Sequence, residues 1–312
     1  DAYLRKGETA KAKRVFETIS KALPKEPLSH YRLGIIARAS RNDAEAIAHF
    51  EEALSANPNA IEPLTLIAAI KNTQGKSADA RERVTKQLTV SPNSPLIYNL
   101  LGEQWAMAKE TAKAETAFKK AIEINEALPI SYLNLAGLYL RAGKIEEAAQ
   151  EYETALAKNP RLASTHMMLG VIAEHKKDFS RAISRYEDAL KINPKFAPAA
   201  NNLAWLLIEQ GGNSDVALSY AQTAREQLPQ DPNMADTLGW IYYRKGVYLK
   251  SLSLLKEAVE KLPDNPTVHY HYGMAQYKYG DVAGAKSSLG HALRIGKTFL
   301  GNEEARTTLS SL

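Results

Sequence analysis

Seven histidines (His30, His49, His166, His175, His269, His271 and His291) are the side chains that could move protons or bind a metal near neutral pH. Either chemistry needs partners on one face. His269 and His271 are two apart, which points them to different faces of a helix and makes a poor chelate. His30, His166 and His269 occupy one recurring position, shared with Tyr98 and Tyr132, and read as packing residues. His49, His175 and His291 stand apart from acidic residues at ligand spacing, although Glu174 adjoins His175. The chain has no cysteine, which removes a thiolate nucleophile, a disulfide framework and thiolate metal ligation. No HExxH, Walker, GxSxG or dinucleotide-binding pattern occurs. The reading is a chain with no catalytic site, no metal and no cofactor.

The elements that would position any site follow from a repeat. In Pro129 to Leu162, the apolar residues Leu133, Ala136 and Leu140 recur at helical spacing until Arg141-Ala142-Gly143-Lys144 interrupts them. A second stripe, Ile145, Ala148, Ala149, Tyr152, Ala155 and Leu156, ends at Asn159-Pro160, where proline removes a backbone donor. Neither short helix can bury its stripe alone, so the unit needs neighbours. The small residue Ala136 returns as Gly34, Ala68, Gly102, Gly170, Ala204, Gly239 and Gly273, at steps of 34 residues with one of 35. In the second helix a small residue keeps step at Ala46, Ala80, Ala114, Ala148, Ala182, Ala217 and Ala285, with Ser251 the exception. A large residue follows one turn later at Phe50, Val84, Phe118, Tyr152, Tyr186, Leu255 and Leu289, with Ala221 out of pattern.

This 34-residue pattern resembles the tetratricopeptide repeat over nearly the whole chain. The resemblance implies an all-α, right-handed α-solenoid of stacked helix-turn-helix repeats, with the first helix of each pair on the concave side. Its spacing places a partial repeat at 1–26 and eight repeats over 27–299, starting near 27, 61, 95, 129, 163, 197, 232 and 266. A capping helix takes 300–312, with Asn302 as its cap and Ala305, Leu309 and Leu312 as its buried stripe. A start in mid-repeat suggests a piece cut from a longer parent. The second repeat should be loosest, because Lys71 and Gln87 replace apolar residues. The extra residue in Gln210 to Ser214 should be absorbed by a turn.

Composition narrows the partner. A surplus of 40 basic over 35 acidic residues is a formal +5 in a mixed surface and does not argue for nucleic acid. The longest apolar runs fall far short of the roughly 20 residues of a membrane span. Recognition therefore falls to the inner face of the first helices. At three before, one after and four after the recurring small residue, the aromatic content rises toward the C-terminus. Trp205, Trp240, Tyr243, Tyr270, Met274 and Tyr277 gather there with Asn201, Asn202, Asp236 and Arg244, a mix of anchors and adaptable polar groups suited to binding a protein or peptide. The competing reading buries these rings between repeats.

Two family variants fit poorly. Repeats that grip a chaperone's terminal carboxylate use a lysine on the inner face, and the position three before the small residue never holds one. The asparagine ladder of sugar-transferring relatives is reduced here to Asn134 and Asn202, with Arg32, Leu66, Leu100, Met168, Thr237 and His271 elsewhere. The last third, with NNLAWLLIEQGGNSDVALSYAQTA and ADTLGWIYYRKG, resembles bacterial repeat lipoproteins of exopolysaccharide and exosortase systems, which implies a periplasmic or outer-membrane setting. The expected function is a non-catalytic scaffold holding a peptide or helix of a partner. The rivals are a self-associating structural array and the recruiting arm of a larger enzyme or export complex.

Overall fold

A computed structural model describes residues 2–312; Asp1, the first residue of the expected partial repeat, lies outside the described residues. Among them are 19 helices and no strand, so the fold is all-α. The chain divides into two compact units, one ending at Pro160 and the other running from Arg161 to Leu312.

In the first unit, α1 (Ala2–Arg5) and α2 (Thr9–Ala22) precede four pairs: α3 (Pro27–Ala39) with α4 (Asp43–Ala56), α5 (Ile61–Thr73) with α6 (Ser77–Val90), α7 (Pro95–Met107) with α8 (Thr111–Ile124), and α9 (Pro129–Arg141) with α10 (Ile145–Lys158). The second unit pairs α11 (Ala163–His175) with α12 (Phe179–Ile192), α13 (Ala197–Glu209) with α14 (Ser214–Gln227), α15 (Pro232–Arg244) with α16 (Tyr248–Lys261), and α17 (Pro266–Tyr279) with α18 (Val282–Ile295), closing with α19 (Asn302–Ser311). Within each unit a helix packs on its pair-mate and on the next pair, the stacking expected of a solenoid.

Local chemistry sets the helix ends. Proline opens α3, α7, α9, α15 and α17, where its missing N–H costs nothing. Side-chain caps include Asn213 on Asp215 and Val216, Asn265 on Thr267 and Val268, and Asp178 on Arg181. Between the helices of each pair the chain turns through the left-handed region. Glycine takes that place at Gly75, Gly143, Gly211, Gly246 and Gly280, whereas Arg41, Lys109 and Lys177 hold φ of 59°, 62° and 60°. The 210–214 insertion is such a turn, and α14 packs on α13 and α15 without interruption.

Close approach explains the small residues. A Cβ on Gly239 would stand 2.7 Å from Leu255 Cγ, and one on Gly273 would stand 2.7 Å from Leu289 Cγ; Gly34, Gly102 and Gly170 face the rings of Phe50, Phe118 and Tyr186 in the same way. In the second repeat Ala68 and Val84 take these places, and α5 meets α6 less closely than other pairs meet. Gln87 is nonetheless fixed, because its Nε2 donates to Pro58 O at 2.6 Å and its Oε1 accepts from Arg83 at 2.9 Å.

The last helix departs from the sequence expectation in two ways. Its cap is Gly301, at φ 87°, while Asn302 is the first helical residue and its Oδ1 accepts instead from Arg306 Nε. The face pressed on α17 and α18 carries Ala305 and Thr308, both buried, with Leu309 and Leu312 at its half-buried margin. Thr308 lies outside the stripe of Ala305, Leu309 and Leu312 that the spacing marks. A ten-residue helix seated across two others buries a wider arc than one stripe.

Candidate functional site

The first helices α11, α13, α15 and α17 lie side by side in the second unit, with α19 against α17. Helical spacing then decides which side chains share a face. Asn202, Trp205 and Glu209 line one side of α13; Asp236, Trp240 and Tyr243 follow on α15; Tyr270, Met274 and Tyr277 follow on α17.

Burial divides the ten residues expected there. Trp240, Tyr270 and Met274 are only 4%, 3% and 2% exposed, and Asn201 is also buried, so these four are wedged between helices and do not present an open surface. Trp240 is covered by Tyr270 and His271 of the neighbouring first helix, and Tyr270 by Phe299, Gly301 and Glu304 near the last helix. Asn202, Trp205, Asp236, Tyr243 and Tyr277 are half-buried, and Arg244 is exposed. The floor is one aromatic stack: Trp240 lies 4.6 Å from Tyr243 and 4.1 Å from His271, nearly parallel to both. Trp205 approaches His271 at 5.5 Å.

His271 is the residue that sequence reasoning missed. It is fully buried, and its Nδ1 lies 2.8 Å from Asp236 Oδ1. A carboxylate can only accept, so Nδ1 carries the proton, and Nε2 is buried without a partner among the described residues. Its position, two before the recurring small residue, holds Asn134, Asn202 and Thr237 in other repeats but also Arg32, Leu66, Leu100 and Met168, so the spacing carried no clear signal. Glu209 and Glu304 were also missed. Glu209 Oε1 accepts from Trp240 Nε1 at 2.8 Å, with Arg244 at 3.5 Å, and Glu304 Oε2 accepts from Tyr270 OH at 2.5 Å. On α11, Glu174 Oε2 accepts from Tyr186 OH at 2.8 Å. Burial pushes the Tyr186 and Tyr270 hydroxyls far above the usual phenol range, reinforced by Glu174 and Glu304 respectively. Tyr243 is pushed up to about 12, again chiefly by burial.

Between α11 and α13 a cavity of about 370 Å³ is lined by Val171, Glu174, His175, Tyr186, Asn202 and Trp205. Among the described residues no three histidine or acidic side chains converge as a metal site, and no helix is long and apolar enough to cross a membrane. His269 and His291 sit in packing roles: His269 Nε2 meets Pro263 O at 2.9 Å, and the two rings are 4.3 Å apart. His49 lies 4.0 Å from Glu45, one turn earlier on its own helix, where the sequence reading had it isolated from acids.

The stacked pairs and these close packing contacts agree with the comparison to known proteins. A family model described as tetratricopeptide repeat matches residues 1–61 and 133–195, and a second of the same description matches 174–241, together more than half the chain. The chain belongs to the tetratricopeptide repeat family. No curated protein matches it. Among solved structures, the Cut9-Hcn1 hetero-tetramer of the APC/C aligns at TM-score 0.64 and 14% identity over 96% of this chain, which spans 58% of that chain's length. PilF of Pseudomonas aeruginosa aligns at 0.58 and 19%, over 67% of this chain and 95% of its own. YrrB, a tetratricopeptide repeat protein with an unusual peptide-binding site, aligns at 0.50 and 24%, over 62% and 99%. These likenesses establish the fold, and a tetratricopeptide repeat array is a protein–protein interaction scaffold.

Proposed function

We propose that the first-helix face of the second unit holds an extended segment or helix of a partner protein, and that the chain acts by binding, without catalysis. The observation that carries this reading is the row of half-buried rings Trp205, Tyr243 and Tyr277 on three adjacent first helices, set over the buried Trp240–His271–Tyr270 floor. A partly exposed aromatic ring on a rigid base supplies contact area at low entropic cost. Asn202, Asp236 and Arg244 border the rings and provide orienting polar contacts. Trp240, Tyr270 and Met274 support the face from beneath. His271 is sealed from substrate by its burial, which favours a structural role over proton transfer.

A photo-crosslinking amino acid at Tyr243, compared with one at Leu249 on the exposed side of α16, tests the placement. A partner crosslinked from Tyr243 only, and lost in a Trp205→Ala, Tyr277→Ala variant of equal thermal stability, supports the face. Crosslinks from Leu249 alone, or capture unchanged by the double variant, would move the site elsewhere.

A further inference from the structure

Four carboxylates on or beside this face share one arrangement. Glu174 is held by Tyr186 OH, Glu209 by Trp240 Nε1, Asp236 by His271 Nδ1 and Glu304 by Tyr270 OH, at 2.8, 2.8, 2.8 and 2.5 Å. The phenol and indole donors on Glu174, Glu304 and Glu209 orient a carboxylate without cancelling its charge. A guanidinium stands beside Glu209, where Arg244 Nη1 lies 3.5 Å from Oε1. Fixed negative charge is thus set at the edges of aromatic rings. Both features attract an ammonium or guanidinium, the carboxylate by Coulomb attraction and the ring by its quadrupole.

Resting on the reading that this face binds a partner segment, we infer that the segment is basic, and that one of its lysine or arginine side chains enters the cavity between α11 and α13. The cavity presents the Glu174 carboxylate, the Asn202 amide and the Trp205 ring on its walls. Tyr186 holds Oε2 of Glu174, and the entering cation would meet Oε1. Position by position the face agrees: at three before, one after and four after each recurring small residue of the second unit, the charged residues are Glu174 and Asp236, and none is lysine or arginine. Charge complementarity therefore selects a basic protein segment over an acidic one or a nucleic acid.

The test uses two fluorescein-labelled synthetic peptides of one apolar frame, with arginine at alternating positions in one and the isosteric neutral citrulline in the other. Anisotropy titration should give the arginine peptide at least about tenfold tighter binding, weakening as salt rises. Glu174→Gln keeps an acceptor for Tyr186 and removes the charge; it should weaken the arginine peptide by about three- to tenfold, as should Trp205→Ala, with Trp205→Phe recovering part of the loss. Glu226→Gln, an exposed carboxylate on α14, should change nothing. Equal affinity for both peptides, no binding of either, or arginine-peptide binding indifferent to Glu174→Gln and Trp205→Ala would each overturn the inference. The crosslink from Tyr243 judges the face itself, so failure of charge selectivity and failure of the face are told apart.

Discussion

His271 Nδ1 donates to Asp236 Oδ1 at 2.8 Å across two adjacent first helices, and the imidazole is wholly buried against Trp240. The bond joins one repeat to the next and gives a buried polar ring its one hydrogen-bond partner among the described residues. Asp236→Ala leaves both ring nitrogens unsatisfied, which should cost about 1–3 kcal/mol. Denaturant unfolding followed by tryptophan fluorescence measures it. Unchanged stability would mean that the bond contributes nothing to the fold.

Gly170 and Gly137 should respond oppositely to alanine. A Cβ at Gly170 runs into the Tyr186 ring, whose hydroxyl is tied to Glu174, so the ring cannot withdraw without breaking that bond. Gly170→Ala should destabilise by about 1–3 kcal/mol. Gly137 meets only the end of Arg141, at 3.6 Å, and Gly137→Ala should add about 0.5–1 kcal/mol through helix propensity. Thermal melts of the two variants should move in opposite directions.

Arg41, Lys109 and Lys177 hold turn positions where the other repeats use glycine. A side chain in the left-handed region costs roughly 1 kcal/mol, and glycine recovers part of that at the expense of unfolded-state entropy. Lys109→Gly should therefore be neutral to stabilising by up to about 1 kcal/mol, whereas Gly143→Ala should lose about 1 kcal/mol. Chemical denaturation of this pair checks the sign.

Alkaline pH should unfold the second unit early. Tyr186, Tyr243 and Tyr270 have folded pKa values raised above 10.0, so the folded state keeps protons that the unfolded chain releases. Their contribution is complete below pH 10 and is lost as pH rises through the folded values, about 12 for Tyr243. Melting temperature against pH, with tyrosinate absorbance, should fall from about 10 upward, less steeply in Tyr243→Phe. Acid acts on His49 and His269, whose values burial lowers below 6.5; that stability is present above 6.5 and is lost as pH falls.

The period of 34 made the helices and their pairing legible, because Gly34, Gly102, Gly170, Gly239 and Gly273 each mark a contact that a side chain would block. The same count placed Trp205 and Tyr243 on a first-helix face. It could not distinguish Trp205 from Trp240, which hold equivalent positions. Their exposures differ because Tyr270 and His271 of α17 close over Trp240, a difference of neighbours that no spacing on α15 records. Glu209 and Glu304 escaped for a related reason. Glu209 lies one residue beyond the positions sampled, and Glu304 belongs to the helix that ends the repeat. The cap at Gly301 was missed because backbone conformation outweighed the side-chain preference of Asn302.

The side-chain bonds that cross between pairs, among them Arg83 to Glu51, Arg225 to Glu257, Trp240 to Glu209 and His271 to Asp236, each reach the adjacent repeat. Such links act in series within a unit, like the coils of a spring. A pull applied along the stack of one unit would be shared among its junctions and taken up by small rotations before any pair gave way.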